Sequence, residues 1–195
     1  MTTIGVLGTG GIAVTLATMF ARAGHEVRLG RATTARGAPG ATGVTSGSCE
    51  EVVARSSTVI PAFLGVQGAV QQLGPWRAGL RGKILVDITN PFTGGHVDFV
   101  GPWAVGGTED LAAAFPEARL VGAFKNVWWE TFDGSPDPAA PDIRVISDDA
   151  GAKNAFLRLC ATTPFTYTDA GGLDQARRVE RMALSGVGQT GLSAA

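Results

Sequence analysis

The chain is poor in the residues that most often carry chemistry by themselves. Its 195 residues hold two cysteines, Cys49 and Cys160, and two histidines, His25 and His96. These four make no metal-binding spacing, so no metal site is expected. Two isolated thiols read as buried or half-buried groups in a reducing cytoplasm. There is one tyrosine, Tyr167, and aromatic residues make up only 7% of the chain. Charge is scarce as well: 17% of residues are charged and the net charge is −1. That balance offers no basic surface for a nucleic-acid partner. No apolar run is long enough to span a membrane, and the N-terminus leads straight into a strand rather than a leader. A cytoplasmic chain with no membrane partner is expected. Hydrophobic residues, at 45%, are enough for one full core, and the length suits a single domain.

What is present begins at the first strand. Ile4 to Leu7 is a short apolar run, and Gly8-x-Gly10-x-x-Ala13 follows it directly. An apolar helix comes next, with Ile12, Leu16, Met19, Phe20 and Ala23 at helical spacing, and Gly24 as its left-handed stop. A second strand, His25 to Leu29, completes the opening βαβ of a dinucleotide-binding fold. Gly8 permits the tight turn out of the strand. Gly10 lets a pyrophosphate approach the backbone, and Ala13 lets the helix pack closely on the strand. The helix N-terminus offers free N–H groups and partial positive charge to phosphates.

The end of the second strand selects the dinucleotide. An NAD site carries an acid there, about 20 residues beyond the glycines, to hold the ribose 2′-hydroxyl. Here the strand runs into Leu29-Gly30-Arg31-Ala32-Thr33-Thr34, with Arg36 beyond and no carboxylate. A guanidinium attracts a 2′-phosphate that a carboxylate would repel. Arg31, with hydroxyls from Thr9, Thr33 and Thr34, therefore predicts NADP(H) as the cofactor.

The remaining pattern alternates strands and helices. Thr34 to Gly43 reads as a loop beside the 2′-phosphate. Ser48-Cys49-Glu50-Glu51 is a capping box that opens a helix to about Arg55. Strands are expected over Thr58–Leu64, with a distortion or an unpaired side at Pro61, and over Lys83–Ile88, which Thr89-Asn90-Pro91 ends. Further strands follow over Arg119–Phe124, Ile143–Ser147 and Phe165–Tyr167. Helices are expected over Val66–Leu73, from Thr108 to Ala114, from about Asp149 to Cys160 with two acids in its first turn, and from Asp174 to about Ser185. The prediction is α/β, a Rossmann-like doubly wound and mainly parallel sheet of about eight strands in a single domain, 1–195. Its dinucleotide-binding part covers about 1–125, and a substrate-side extension covers about 126–195.

In this order of motifs the chain resembles the small NADP oxidoreductases grouped with coenzyme F-420 (deazaflavin)-dependent NADP reductase. The resemblance rests on Ile4 to Ala13, Ala23-Gly-His-Glu-Val27, Val86-Asp-Ile-Thr-Asn-Pro91, Leu120-Val-Gly-Ala-Phe124 and Asp148-Asp149. It ends with Asp169-Ala-Gly-Gly-Leu173 followed by Arg177 and Glu180. It implies that Gly8, Thr9, Gly10, Gly11 and Ile12 surround the pyrophosphate, and that Thr9 and Arg31 hold the 2′-phosphate. It also implies that Ile60 to Phe63, Ala62 among them, flank the nicotinamide ribose and ring with Asn90 and Pro91. The departures fall on the second substrate's side, the early turn of the final helix into glycine-rich sequence among them. Phe63-Leu64 stands where family members have a Val-Pro-type strand end. Gly122-Ala-Phe-Lys125-Asn126 stands where they read Lys-Ala-Phe-Asn-Thr. Trp128-Trp129-Glu130 is bulkier than the usual run.

Hydride transfer to a carbonyl or imine needs a proton donor or a cation near the acceptor, whereas a deazaflavin needs little acid–base help. Lys125 is the leading catalytic candidate; its alternative is a surface lysine paired with Glu130 or Asp133. Asn126 and Asn90 either orient a substrate or cap turns. Tyr167 either donates a proton or belongs to the core, and His96 is either an acid or an exposed loop residue. Trp103, Trp128, Trp129 and Phe132 line a pocket for a flat ligand or form a homodimer interface. A homodimer is also what the resemblance implies. The first expectation is an NADPH-dependent reductase of a small, aromatic or polycyclic carbonyl or imine. The alternatives are a deazaflavin:NADP reductase, a non-redox cyclase or isomerase on the same fold, and an NADP-sensing module.

Overall fold

A computed structural model describes residues 2–31, 43–62, 66–90, 107–127 and 142–186. The strands are β1 (Thr3–Leu7), β2 (Glu26–Arg31), β3 (Val44–Ser48), β4 (Thr58–Pro61), β5 (Ile84–Asp87), β6 (Arg119–Gly122), β7 (Asp142–Val145) and β8 (Thr166–Asp169). The helices are α1 (Gly11–Arg22), α2 (Cys49–Arg55), α3 (Val66–Leu73), α4 (Arg77–Leu80), α5 (Gly107–Ala114), α6 (Ala150–Cys160) and α7 (Ala176–Gly186). Among the described residues no helix is long and apolar enough to cross a membrane.

Six strands form one sheet in the order β3-β2-β1-β4-β5-β6, every pair parallel. A parallel sheet buries both faces, which is why its inner strands are apolar at nearly every position. Alternate residues feed two cores. Ile4, Val6, Ile60, Val86 and Val121 meet α1 and α6 on one face. Leu7, Val59, Leu85 and Leu120 meet α2, α3, α5 and α7 on the other. The order of the strands reverses between β1 and β4. This is the doubly wound, Rossmann-like sheet that the sequence predicts, and the crevice at such a reversal is where these sheets bind ligands.

Most local expectations hold. Ser48 and Glu51 form the full capping box of α2. Gly24 adopts φ +89° after α1. Pro61 pairs with Leu7 of β1, while the β4–β5 ladder stops at Val59↔Leu85, so the residue without an N–H lies beyond the end of that ladder. Cys49 and Cys160 are free and buried, and burial pushes both thiols up.

Three expectations are corrected. Strand β3 was not anticipated, because Val44-Thr-Ser-Gly-Ser48 has no apolar alternation; only its register with β2 defines it. The eight strands do not make one sheet. β7 and β8 pair separately, joined to β6 by the antiparallel bridge Gly122↔Ile146. Finally, α6 has no acid in its first turn. Asp149 precedes the helix as its cap and accepts from Ala152 N at 2.8 Å, and Asp148 accepts from Leu173 N at 2.8 Å.

Asp149 also receives Arg119 of β6 through two bonds, Nε to Oδ2 at 2.7 Å and Nη2 to Oδ1 at 3.0 Å. The Arg119 bond and the helix N–H groups push the Asp149 carboxyl down to about 2, from 3.8. A depressed carboxylate stabilises the fold above its ordinary value and loses that contribution as pH falls through its folded value. Wild type should therefore exceed Asp149→Asn in urea midpoint at neutral pH. The gap should shrink as pH falls from about 4 to 2. Midpoints measured across that range test it, and a gap independent of pH would exclude the linkage.

Candidate functional site

The carboxyl ends of β1, β2, β4 and β5 hold the residues that the sequence singles out. Gly8 leaves β1 at φ +133°, a region that favours glycine, and its N–H donates to Gly30 O at 2.9 Å. A Cβ on Gly8 would lie 2.8 Å from Ala62 O, so the turn packs against the end of β4 with no room for a side chain. Gly10 is different. Its backbone is extended (φ −74°, ψ 170°), which any residue adopts, and a Cβ there meets nothing within 4 Å. Steric need inside the protein therefore explains Gly8 but not Gly10.

Gly10 is the N-cap of α1, yet it makes no side-chain cap, and the first turn of α1 carries no acid. Serine, threonine or aspartate is the usual solution at such a position. Thr9, Gly10 and Gly11 are exposed, and Ile12 is half-buried. A 12-residue helix thus presents its positive end to open space bordered by glycine. A phosphate group fits that arrangement on charge, hydrogen bonding and shape.

Arg31 stands at the carboxyl end of β2, and its Nη2 donates to Ser46 Oγ of β3 at 2.8 Å. No carboxylate pairs with it among the described residues. Ser46 belongs to the strand that sequence reasoning missed. By accepting from Arg31 it keeps its own O–H available to a ligand. Pairing Arg31 with a hydroxyl-bearing strand next to β2 was the signal that could have found it. Thr33 and Thr34 lie outside the described residues.

The carboxyl end of β5 carries a buried charge cluster. Asp87, Lys125 and Glu180 are each 0% exposed. Lys125 Nζ lies 2.6 Å from Asp87 Oδ2 and 3.3 Å from Glu180 Oε1, and it also donates to Thr89 O. Asp87 further accepts from Thr89 N (2.9 Å), Thr89 Oγ1 (2.7 Å) and Thr108 Oγ1 (2.7 Å). Glu180 Oε1 accepts from Gly107 N at 2.9 Å, and Arg177 Nη1 lies 3.7 Å from Glu180 Oε2. Burial pushes Asp87 up, but the Lys125 charge and the hydrogen bonds from Lys125 and Thr89 outweigh it and hold the carboxyl below its ordinary value. Burial pushes Glu180 up; Lys125 offsets only part of this, and Asp87 adds to it.

Both readings of Lys125 are thereby corrected. It is not a surface lysine. It is also not placed as a proton donor, because an ammonium has three N–H bonds and three oxygens surround this one. Asn126 spans two backbone groups, donating to Asp142 O and accepting from Arg144 N, each at 2.9 Å. Its amide extends the edge of β7, with both ends of the amide bonded to backbone. Tyr167 shares a 2.8 Å hydrogen bond with Thr163 Oγ1 and packs edge-on to Phe124 at 6.0 Å. Burial pushes its hydroxyl up. Thr162, next to Thr163, donates to Ala23 O at the C-cap of α1. Tyr167 is a core residue.

Asn90 lies just beyond β5, where its Nδ2 donates to Lys125 O at 3.0 Å. Ala62 lies just beyond β4, bonded to Leu7 O at 2.8 Å. Phe63, Pro91, His96, Trp103, Trp128, Trp129 and Phe132 lie outside the described residues.

Fold and site together define a dinucleotide-binding α/β domain. The family model described as NADP oxidoreductase, coenzyme F420-dependent, matches residues 3–91. The chain is 27% identical over 193 residues to the F420-dependent NADP reductase of Methanothermobacter marburgensis, covering 90% of this chain and 86% of that protein. It is 28% identical over 182 residues to the rat metalloreductase STEAP3, covering 93% of this chain. The chain spans only 36% of the length of that metalloreductase. The crystal structure of a candidate F420-dependent NADP reductase from Arthrobacter sp. FB24 matches with a TM-score of 0.77 at 27% identity. It covers 92% of this chain and 89% of that one. The resemblance read from the motifs thus holds: the chain is similar in sequence and fold to NADP-dependent oxidoreductases of the F420-dependent group.

The two glycines should separate on substitution. Gly8→Ala should lower stability by about 1–3 kcal/mol, because it places a Cβ on a backbone oxygen in a left-handed turn. Gly10→Ser should raise stability by a few tenths of a kcal/mol, roughly, by capping α1. Urea unfolding of the two variants checks both signs.

Proposed function

We propose that the chain is an NADP(H)-dependent oxidoreductase that passes hydride between the nicotinamide and a flat acceptor of the deazaflavin type. The observation that carries the reading is the open, uncapped start of α1 at Gly10, with a lone guanidinium at the next strand end. A side-chain cap would add only a few tenths of a kcal/mol, roughly, to the fold, and its absence supports a phosphate at this helix end. Gly8 to Ile12 would hold the pyrophosphate. Arg31 and Thr9 would hold the 2′-phosphate, with Ser46 behind Arg31. Ala62 and Asn90 would flank the nicotinamide half. Once bound, the nicotinamide supplies the hydride, and the protein's contribution is to bind, orient and exclude water.

The acceptor follows from the fate of Lys125. A carbonyl or imine acceptor was the first expectation, with Lys125 as its candidate proton donor. With that ammonium enclosed, the expectation loses that donor. An acceptor that needs little acid–base help is favoured, and the family match supports a deazaflavin.

Titration of the protein's tryptophan fluorescence with NADPH and NADH tests the cofactor. Arg31→Ala should weaken NADPH by roughly 1.5–3 kcal/mol, or about 10- to 150-fold, and barely change NADH. Equal losses for the two cofactors would remove Arg31 from the 2′-phosphate. Mixing NADPH with oxidised deazaflavin, and NADP with the reduced form, tests the acceptor through the absorbance of the reduced nicotinamide. Binding without turnover would favour the sensing module. Binding of neither cofactor would favour the non-redox uses of the fold.

A further inference from the structure

Lys125 is enclosed, yet it touches the candidate site through its backbone. Strand β6 ends at Gly122, and two residues on Phe124 adopts φ +59°, the one positive φ outside glycine among the described residues. A buried aromatic residue rarely adopts this conformation, and such outliers cluster at functional sites. The Phe124 ring is wedged edge-on against Phe156 at 6.3 Å and Tyr167 at 6.0 Å, which holds the turn in place. Directly after it, the Lys125 side chain enters the space bounded by Asp87 and Thr89, by Gly107 and Thr108, and by Glu180 and Arg177. Its carbonyl accepts from Asn90 Nδ2.

That carbonyl fixes the Asn90 amide. An oxygen acceptor requires the N–H side of the amide, so Nδ2 faces Lys125 and Oδ1 faces away. Asn90 Oδ1 is itself buried and has no donor among the described residues. A buried acceptor left without a donor is costly, and each such group calls for an explanation. This one sits at the carboxyl end of a strand bordering the binding crevice.

We propose that Lys125 is a positioning residue: its tripod on Asp87, Thr89 and Glu180 sets the peptide that orients Asn90, so that Asn90 Oδ1 receives an N–H or O–H from the nicotinamide half of the cofactor. The donor is either the carboxamide or a ribose hydroxyl. The inference rests on the NADP(H) reading above, and it gives a function to the lysine that distinguishes this chain from its family's pattern. It also links α7 to the cofactor side of the sheet through one cation.

The test compares NADPH with adenosine 2′,5′-bisphosphate, which carries the 2′-phosphate half but no nicotinamide. Lys125→Met and Asn90→Ala should each weaken NADPH by about 10-fold while changing the bisphosphate by less than about twofold. If Lys125 acts through Asn90, the double variant should bind NADPH no more weakly than Asn90→Ala alone. A purely structural lysine would lower both ligands together, and an additive double variant would break the link to Asn90; either result overturns the proposal, as would unchanged NADPH affinity. If Lys125→Met no longer binds the bisphosphate, Glu180→Gln decides. Selective loss of NADPH supports the proposal, and equal loss of both ligands overturns it. A wild-type protein that binds neither ligand would refute the NADP(H) reading itself. The 3-acetylpyridine analogue of NADPH, which lacks the amide N–H, identifies the donor: a loss on Asn90→Ala that vanishes with the analogue assigns the carboxamide, and one that persists assigns the ribose.

Discussion

A carboxylate with no access to water must be neutralised and hydrogen-bonded, and Asp87 sets that requirement at the centre of this fold. It lies at the carboxyl end of an inner strand, with an apolar core on either side. Leaving it unpaired would cost several kcal/mol, roughly, even after relaxation. The answer is assembled from distant parts of the chain: Thr89 two residues on, Thr108 at the start of α5, and Lys125 just beyond β6. Lys125 then needs more anionic company, and Glu180 of α7 provides it. One buried charge thereby dictates where two helices and two strand ends meet. That meeting point borders the crevice.

The opposite policy operates at the start of α1. There the protein leaves helix N–H groups without a side-chain cap and leaves space beside Gly10. Asp87 is over-satisfied and fixed, whereas the α1 terminus is under-satisfied and open. A binding site for a polyanion needs both. The open groups provide attraction, and the fixed groups keep strand ends from shifting when a large charged ligand arrives. Arg31 and Ser46 stand between these extremes, with a guanidinium held by one hydroxyl and no carboxylate beside it among the described residues.

Legibility from sequence followed the range of the interaction. The glycine turn, the stop at Gly24 and the Ser48–Glu51 capping box rest on contacts within a few residues, and each could be read directly. The positions of the inner strands along the chain followed from their apolar runs. Strand β3 was invisible because Val44-Thr-Ser-Gly-Ser48 carries no hydrophobic signal and exists by pairing alone. With it went Ser46. Lys125 was recognised as unusual, but its partners lie 38 residues back and on the final described helix, too far for any local pattern. A lysine beside two tryptophans and a glutamate reads as surface until the fold brings Asp87 to it. Of the two readings open for Asn126 and Tyr167, the structure favours the structural one, since the bonds of their polar atoms go to backbone and hydroxyl partners that only the tertiary structure supplies.

The reach of Glu180 back to Lys125 and Gly107 also has a meaning in time. A chain emerging from the ribosome completes β5, α5 and β6 well before α7. Until Glu180 is made, Lys125 has one carboxylate for company rather than two, and the first N–H of α5 lacks its acceptor. The central end of the sheet therefore closes only when nearly all the described chain has been synthesised. The last described helix thus works as a clasp on that end of the sheet.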